Sequence, residues 1–277
     1  MSGFSIEWLK LREPADARAR NSEVAQAASA WFGLRDQISV VDLGCGTGSN
    51  LRATAPFLPA KQDWTLIDHD PALLNAARAE LSNWADTTRS EADTLILTKG
   101  AANITVHLVK LDLAQDPVAA LASGPDLVTA SAFFDLVSEA FMSGLARALT
   151  DQRAAFYAVL TYNGVERWNP HRPADNQVTA AFLRHQMRDK GFGPAAGPMA
   201  ASHLVEQFRL NGYTVVEGGS PWELGVNDRS LIEELISGHA MAVLETKAVD
   251  AATVASWVKV KRAGAIIGHS DMFAVPV

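Results

Sequence analysis

The stretch VVDLGCGTGSN, residues 40–50, sets three glycines at alternate positions directly behind a short apolar run that ends in an acid. Gly44, Gly46 and Gly48 mark a tight turn whose missing side chains leave room for a backbone or a ligand to approach closely. The apolar run over 38–43 is too short for a core helix and shows no polar alternation, as a strand buried on both faces requires. A chain that begins this way is constrained to a parallel sheet covered by helices, with its ligand loops at the carboxyl ends of the strands.

The rest of the chain keeps that alternation. Apolar runs predict further strands over 64–68, 104–110, 126–130, 154–160, 213–217 and 265–275, seven in all. Helical spacing predicts helices over 49–57, 71–81, 138–149, 200–211, 228–245 and 250–262, and a polar helix around 176–190. Ahead of the first strand, Trp8, Leu9 and Leu11, then Val24, Ala27, Ala28, Trp31 and Phe32, predict amphipathic helices across 5–33 with a break at Pro14. The expected fold is therefore α/β, a doubly wound, mostly parallel sheet of seven strands. One domain is expected over 1–277: amino-terminal helices to 36, a core over 37–160, an inserted cap or lid over 161–200, and the last part of the sheet over 201–277.

A formal charge of −7 over 277 residues argues against binding a nucleic-acid backbone, which needs a clustered basic face. No apolar run is long enough to span a bilayer, and charges interrupt the amino-terminal stretch where a signal peptide would be apolar. The single cysteine, Cys45, excludes an internal disulfide and fits a reducing compartment. A cytoplasmic protein acting on a small molecule, without a metal, is the expectation.

Three ligands favour a glycine loop after a first strand. A phosphate loop needs a lysine and then serine or threonine after its last glycine, and Ser49 and Asn50 stand there. The dinucleotide fingerprint wants its third glycine at the sixth position, which is Ser49. The order of acid, apolar residue and alternating glycines resembles motif I of class I S-adenosylmethionine-dependent methyltransferases. That resemblance covers residues 38–160 well and the remainder by strand order.

The resemblance implies S-adenosylmethionine as cofactor, with Asp42, Gly44, Cys45 and Gly46 forming the loop beneath its methionine part. It also places Asp68 on the ribose hydroxyls, 20 residues beyond Gly48, with His69 beside the adenine. Asp112 and Leu113 then face the adenine, and Ser131 stands at the start of the motif IV loop. Asp70 is read as the cap of the helix that Pro71 opens. Arg12 or Arg20 from the amino-terminal helices is a candidate partner of the methionine carboxylate.

On the acceptor side, Asp135 is either a first-turn acid of the next helix or a substrate-facing base. His203 is the second acid-base candidate, with His185 behind it, and their spacing forms no metal-ligand set. Tyr162, Asn163 and Trp168, after the fifth strand, are candidate substrate contacts or lid packing. The asparagine-proline sequence of amine-modifying nucleic-acid methyltransferases is missing, since Ser131-Ala132-Phe133-Phe134 stands in its place. A methyltransferase acting on a small-molecule acceptor is thus expected. A modifier of protein or RNA, a nicotinamide-dependent oxidoreductase and a non-catalytic cofactor binder stay open as alternatives.

Overall fold

The apolar run before the glycine loop forms β1 (Gln37–Leu43), in which Val40, Val41 and Leu43 are buried. The structure is a computed structural model that describes residues 4–91 and 94–277. β1 is preceded by α1 (Ile6–Ala19) and α2 (Ser22–Phe32) and followed by α3 (Ser49–Thr54), β2 (Lys61–Asp68) and α4 (Pro71–Trp84). Next come β3 (Thr87–Glu91), β4 (Thr94–Lys99), β5 (Ala102–Lys110), β6 (Leu127–Ser131), α5 (Glu139–Gln152) and β7 (Ala155–Asn169). The chain ends with α6 (Asp175–Gln186), α7 (Ala200–Leu210), β8 (Tyr213–Gly219), β9 (Trp222–Leu224), α8 (Arg229–Thr246), α9 (Ala251–Val258) and β10 (Gly264–Pro276).

Among the described residues the strands make one sheet in the order β3-β4-β5-β2-β1-β6-β7-β10-β8, with β9 beside β10. The five strands β5-β2-β1-β6-β7 are parallel, whereas β10 runs antiparallel between β7 and β8. All seven expected strands are present. One apolar layer joins α5 and α7 to one face of the sheet, and a second joins α2 and α4 to the other. No described helix is long and apolar enough to cross a membrane.

Three features differ from the sequence reading. Pro14 lies inside α1, and the break falls at Arg20, after which the Asn21 side chain caps α2. An antiparallel hairpin, β3 and β4, extends the sheet beyond β5; β3 is exposed along its whole length and so carries no apolar pattern. Residues 161–169, expected to open the cap, continue β7 in register with β10, past a shift at Gly268. This long ribbon, with α1, α6, α8 and α9, encloses a third core around Trp168, Trp222 and Trp257.

That core holds a buried ion pair. Glu166 Oε1 lies 2.7 Å from His239 Nε2, with both side chains almost wholly shielded. Tyr162 Oη donates to the same carboxylate at 2.7 Å and Thr179 Oγ1 at 3.0 Å. The other histidine nitrogen is 2.7 Å from the Leu235 carbonyl, and Phe182 stacks on the ring. Burial pushes the Glu166 carboxyl up, but His239 and the two hydroxyls outweigh it and hold the carboxyl below its ordinary value. Its stabilising contribution is therefore full above the unfolded value near 4.5 and is lost as pH falls below that toward the folded value. Removing one partner leaves a buried charge, so Glu166→Ala is expected to cost about 3–5 kcal/mol in urea denaturation at pH 7. The deficit should shrink when the same titration is run near pH 3, and a variant as stable as the parent at pH 7 would contradict the pairing.

Candidate functional site

The chain order reverses between β1 and β6, and a cleft opens there at the carboxyl ends of β2, β1, β5 and β6. Open α/β sheets bind ligands at such a switch point. The cleft encloses about 1140 Å³ of empty space, including its open mouth. Its floor is Gly44, Cys45, Gly46 and Thr47, and its sides are Asp68 and His69 after β2 and Asp112 and Leu113 after β5. Ser131, Ala132 and Phe133 close the β6 side, and Leu9, Arg12 and Asp16 of α1 lie across the top.

The loop needs its glycines. Gly44 has φ +64°, and a Cβ there would meet the Phe133 ring at 2.8 Å. Gly46 has φ +54°, and its Cβ would lie 3.1 Å from Leu9. The Gly46 N–H donates to Asp68 Oδ2 at 3.0 Å, and the Asp70 N–H donates to Oδ1 at 3.0 Å. Two backbone donors thus fix the carboxylate at the rim of the cleft, and its remaining lone pairs are open to a ligand. His69 Nδ1 is 3.3 Å from the same carboxylate, on a half-exposed ring. Asp70 caps α4 through the Ala72 N–H at 2.8 Å, as expected. Asp112 Oδ1 accepts from the Ala114 N–H at 3.0 Å, which braces the turn after β5.

Asp42 and Arg20 lie behind the loop. The Asn50 side-chain amide donates to Asp42 Oδ1 at 2.7 Å, while Asp42 Oδ2 is buried without a partner. Burial raises the Asp42 pKa to about 7, against the opposing effects of Asn50 and of the Arg20 charge. Arg20 donates to Asn50 Oδ1 at 2.7 Å and Thr54 Oγ1 at 3.0 Å, so it is spent on bracing α3. Arg12 is the arginine that faces the cleft; Asp16 holds its guanidinium at 2.9 and 3.1 Å, and it lies 5.0 Å over the Trp222 ring. Burial and the charges of Asp42 and Asp68 push the Cys45 thiol well up, so it stays protonated and lines the floor as a small apolar group.

The acceptor-side candidates do not all converge. Asp135 lies in the short turn between Phe133 and Leu136; those two line the cleft, whereas Asp135 does not. Ser138, not Asp135, caps α5. Asp135 Oδ1 is buried without a partner; burial raises its pKa to about 6, against its own backbone N–H, the Arg12 charge, the Tyr162 backbone N–H and the Lys190 charge. Tyr162 faces the third core, where burial and Glu166 keep its hydroxyl protonated. Asn163, the next residue along the strand, points to the opposite face, 3.2 Å from Ser270 Oγ. Trp168 packs against Trp257, His239 and Arg262, away from the cleft. His203 lies between α7 and α5, 3.2 Å from Ser143 Oγ, and His185 pairs with Glu245 at 3.0 Å; neither lines the cleft. Phe133 and Phe192, which the sequence reading passed over, both line it. Glycines on either side of Phe192 were the signal for the second.

The sequence matches no protein-family model and, at significance, no curated protein. Solved structures do match. YcgJ from Bacillus subtilis superposes with a TM-score of 0.52 at 13% identity, over 92% of this chain and 99% of that one. The cyclopropane synthase MmaA2 from Mycobacterium tuberculosis gives 0.53 at 10% identity, over 98% of this chain and 94% of that one. The fold is that of the class I methyltransferases. Within it, β3 and β4 are an added edge hairpin and α6, α8 and α9 cover the extended β7 and β10 ribbon.

The buried acid behind the loop gives a measurable consequence. Below about pH 4 both folded and unfolded chains hold the Asp42 proton, whereas from there to about pH 7 only the unfolded chain releases it. Asp42 therefore makes stability fall as pH rises through that window. Asp42→Asn is expected to flatten this fall in urea denaturation run at intervals across it, and an unchanged slope would show that Asp42 is ionised in the fold.

Proposed function

We propose that this protein is a cytoplasmic S-adenosylmethionine-dependent methyltransferase that acts on a small-molecule acceptor. The observation that carries the reading is the bond from the Gly46 N–H to the Asp68 carboxylate, which joins the glycine cradle and the acid after β2 into one rigid rim. The residues present fit the cofactor. Gly44, Cys45 and Gly46 line the floor of the cleft with little side-chain bulk, which suits the methionine part. Asp68 offers carboxylate lone pairs to the ribose hydroxyls, and Asp112 and Leu113 flank the place for the adenine. Ser131 closes the β6 side.

When bound, the cofactor supplies a methyl group on a positively charged sulfur. The chain's own contribution is placement and exclusion of water: Leu9, Phe133, Leu136 and Phe192 make apolar walls, and a water-poor site strengthens every fixed charge inside it. Asp68 lies at the rim of the loop, so the field there favours a cationic ligand over a phosphate. The roof formed by α1 supports a small acceptor, because a macromolecule needs an open approach to the loop. The single buried cysteine supports a reducing compartment.

Isothermal titration with S-adenosylhomocysteine and with NAD tests the cofactor directly. Binding of the first and not the second is expected, and the reverse would sink the reading. Asp68→Ala should weaken S-adenosylhomocysteine binding about tenfold or more, the loss of a charged hydrogen-bond acceptor. Methyl-labelled cofactor incubated with the low-mass fraction of a cell extract should yield labelled product; label appearing only in protein or RNA would move the acceptor to that class.

A further inference from the structure

Every third or fourth residue of α8 from Arg229 to Leu244 lines a groove, and residues 258–262, at the end of α9 and just after it, form the other wall. That spacing is one face of a helix, followed along nearly its whole length. The stripe runs about 22 Å at the helical rise of 1.5 Å per residue. None of the residues that line this groove lines the cleft.

The chain leaves the apolar part of the groove uncovered. Met241, Leu244 and Val258 are 59, 44 and 42% exposed, whereas Ile232, Ile236 and Ala240 are buried in the third core. Large apolar side chains gathered along one groove and rimmed by charge mark a contact with another molecule. Ser237 and Ala240, midway along the stripe, are small and let a second helix approach to the roughly 8–10 Å at which helices pack.

The charges decide what covers it. Arg229, Lys259 and Lys261 line the groove with Glu233; all four are exposed, and none has an ion pair or side-chain hydrogen bond among the described residues. Arg262, the other cation of the groove, is spent on Asp175. Unpaired charges of both signs therefore flank one apolar line. A purely acidic partner, protein or bilayer, would set like charge against Glu233. A two-fold axis instead brings the patch to itself, and the acid of each copy then meets the cations of the other.

We infer that the protein is a homodimer in which each copy seats α8 in the groove of the other across a two-fold axis. Met241, Leu244 and Val258 form the buried line of the interface, and Glu233 pairs with the partner subunit's Lys259 and the partner subunit's Lys261. Methionine suits such a line, because its unbranched side chain adapts to the surface it meets.

Sedimentation equilibrium of the full chain at concentrations up to about 100 µM tests this. A species of twice the monomer mass is expected, with a dissociation constant of about 10 µM or tighter. Met241→Glu sets a carboxylate in the apolar line of both copies and should weaken the dimer about a hundredfold or more. Leu210→Glu, at a 73% exposed position on α7 outside the groove, should leave it unchanged. Glu233→Lys should weaken it about tenfold, as should Lys259→Glu together with Lys261→Glu, and combining all three should recover most of the loss. Circular dichroism shows which variants are folded, and the charge exchange decides alone if Met241→Glu is not. A monomeric parent at the highest concentration, a dimer that persists in folded Met241→Glu, or a charge exchange without recovery would overturn the inference.

Discussion

The glycine turn after β1 holds its shape because other elements occupy the space that side chains would fill. The Phe133 ring presses on Gly44 and Leu9 on Gly46, so the β6 turn and α1 are seated directly on loop backbone. Phe133 is braced in turn by Phe134, Phe141 and Phe192 at 5.3, 6.0 and 5.7 Å. The Gly46 N–H ties the same turn to the end of β2 through Asp68. Four elements and the segment after α6 therefore take their positions around the cleft from one short stretch of backbone. Any side chain at Gly44 would have to displace an aromatic ring that has three neighbours, in addition to adopting a backbone conformation that costs non-glycine residues about 1 kcal/mol or more.

Much of this was legible because buried parallel strands are written as apolar runs and their ligand loops sit at fixed ends. The seven main strands follow from that rule and the cap at Asp70 from the proline behind it, whereas Asp68, Asp112 and Ser131, which line the cleft, were singled out by the resemblance to motif-bearing loops. What escaped has specific physical causes. A proline predicts a break from local backbone cost alone, yet α1 continues through Pro14 because its neighbours are anchored elsewhere. Glu13 binds Arg52 at 2.7 Å, and Asp16 binds Arg12 and the Trp222 indole N–H. The bonds to Arg52 and Trp222, with the i,i+4 pair inside the helix, offset the roughly 3 kcal/mol that proline costs a helix interior. β3 escaped because an edge strand exposed on both faces has no reason to alternate.

The acceptor side was harder to read, because it depends on which face a residue takes. Tyr162 and Asn163 are adjacent on a strand and so point to opposite faces, which means that they cannot line one pocket together. That exclusion was available in the sequence once β7 was known to run to Asn169; the polar residues around Gly164 hid the continuation. Arg12 and Arg20 were equivalent by position on a charged helix. Their roles separated only through partners far along the chain, Trp222 for one and Asn50 with Thr54 for the other.

The buried carboxylates divide by how completely they are bonded. Asp271 accepts from the Leu160 and Asn21 N–H groups and from Ser220, joining β7, α2 and the end of β8, and Glu166 is saturated by His239, Tyr162 and Thr179. Both hold strands and helices together and leave no acceptor free. Asp42 and Asp135 each retain a buried oxygen without a donor, and burial raises both, to about 7 and about 6. A fold that saturates two buried acids completely has the means to saturate the others. It leaves incomplete one acid beneath the glycine loop and one in the turn between Phe133 and Leu136. The free energy forgone at each, about 1–3 kcal/mol per unpaired group, falls on acids that stand behind the residues lining the cleft and not on the lining itself.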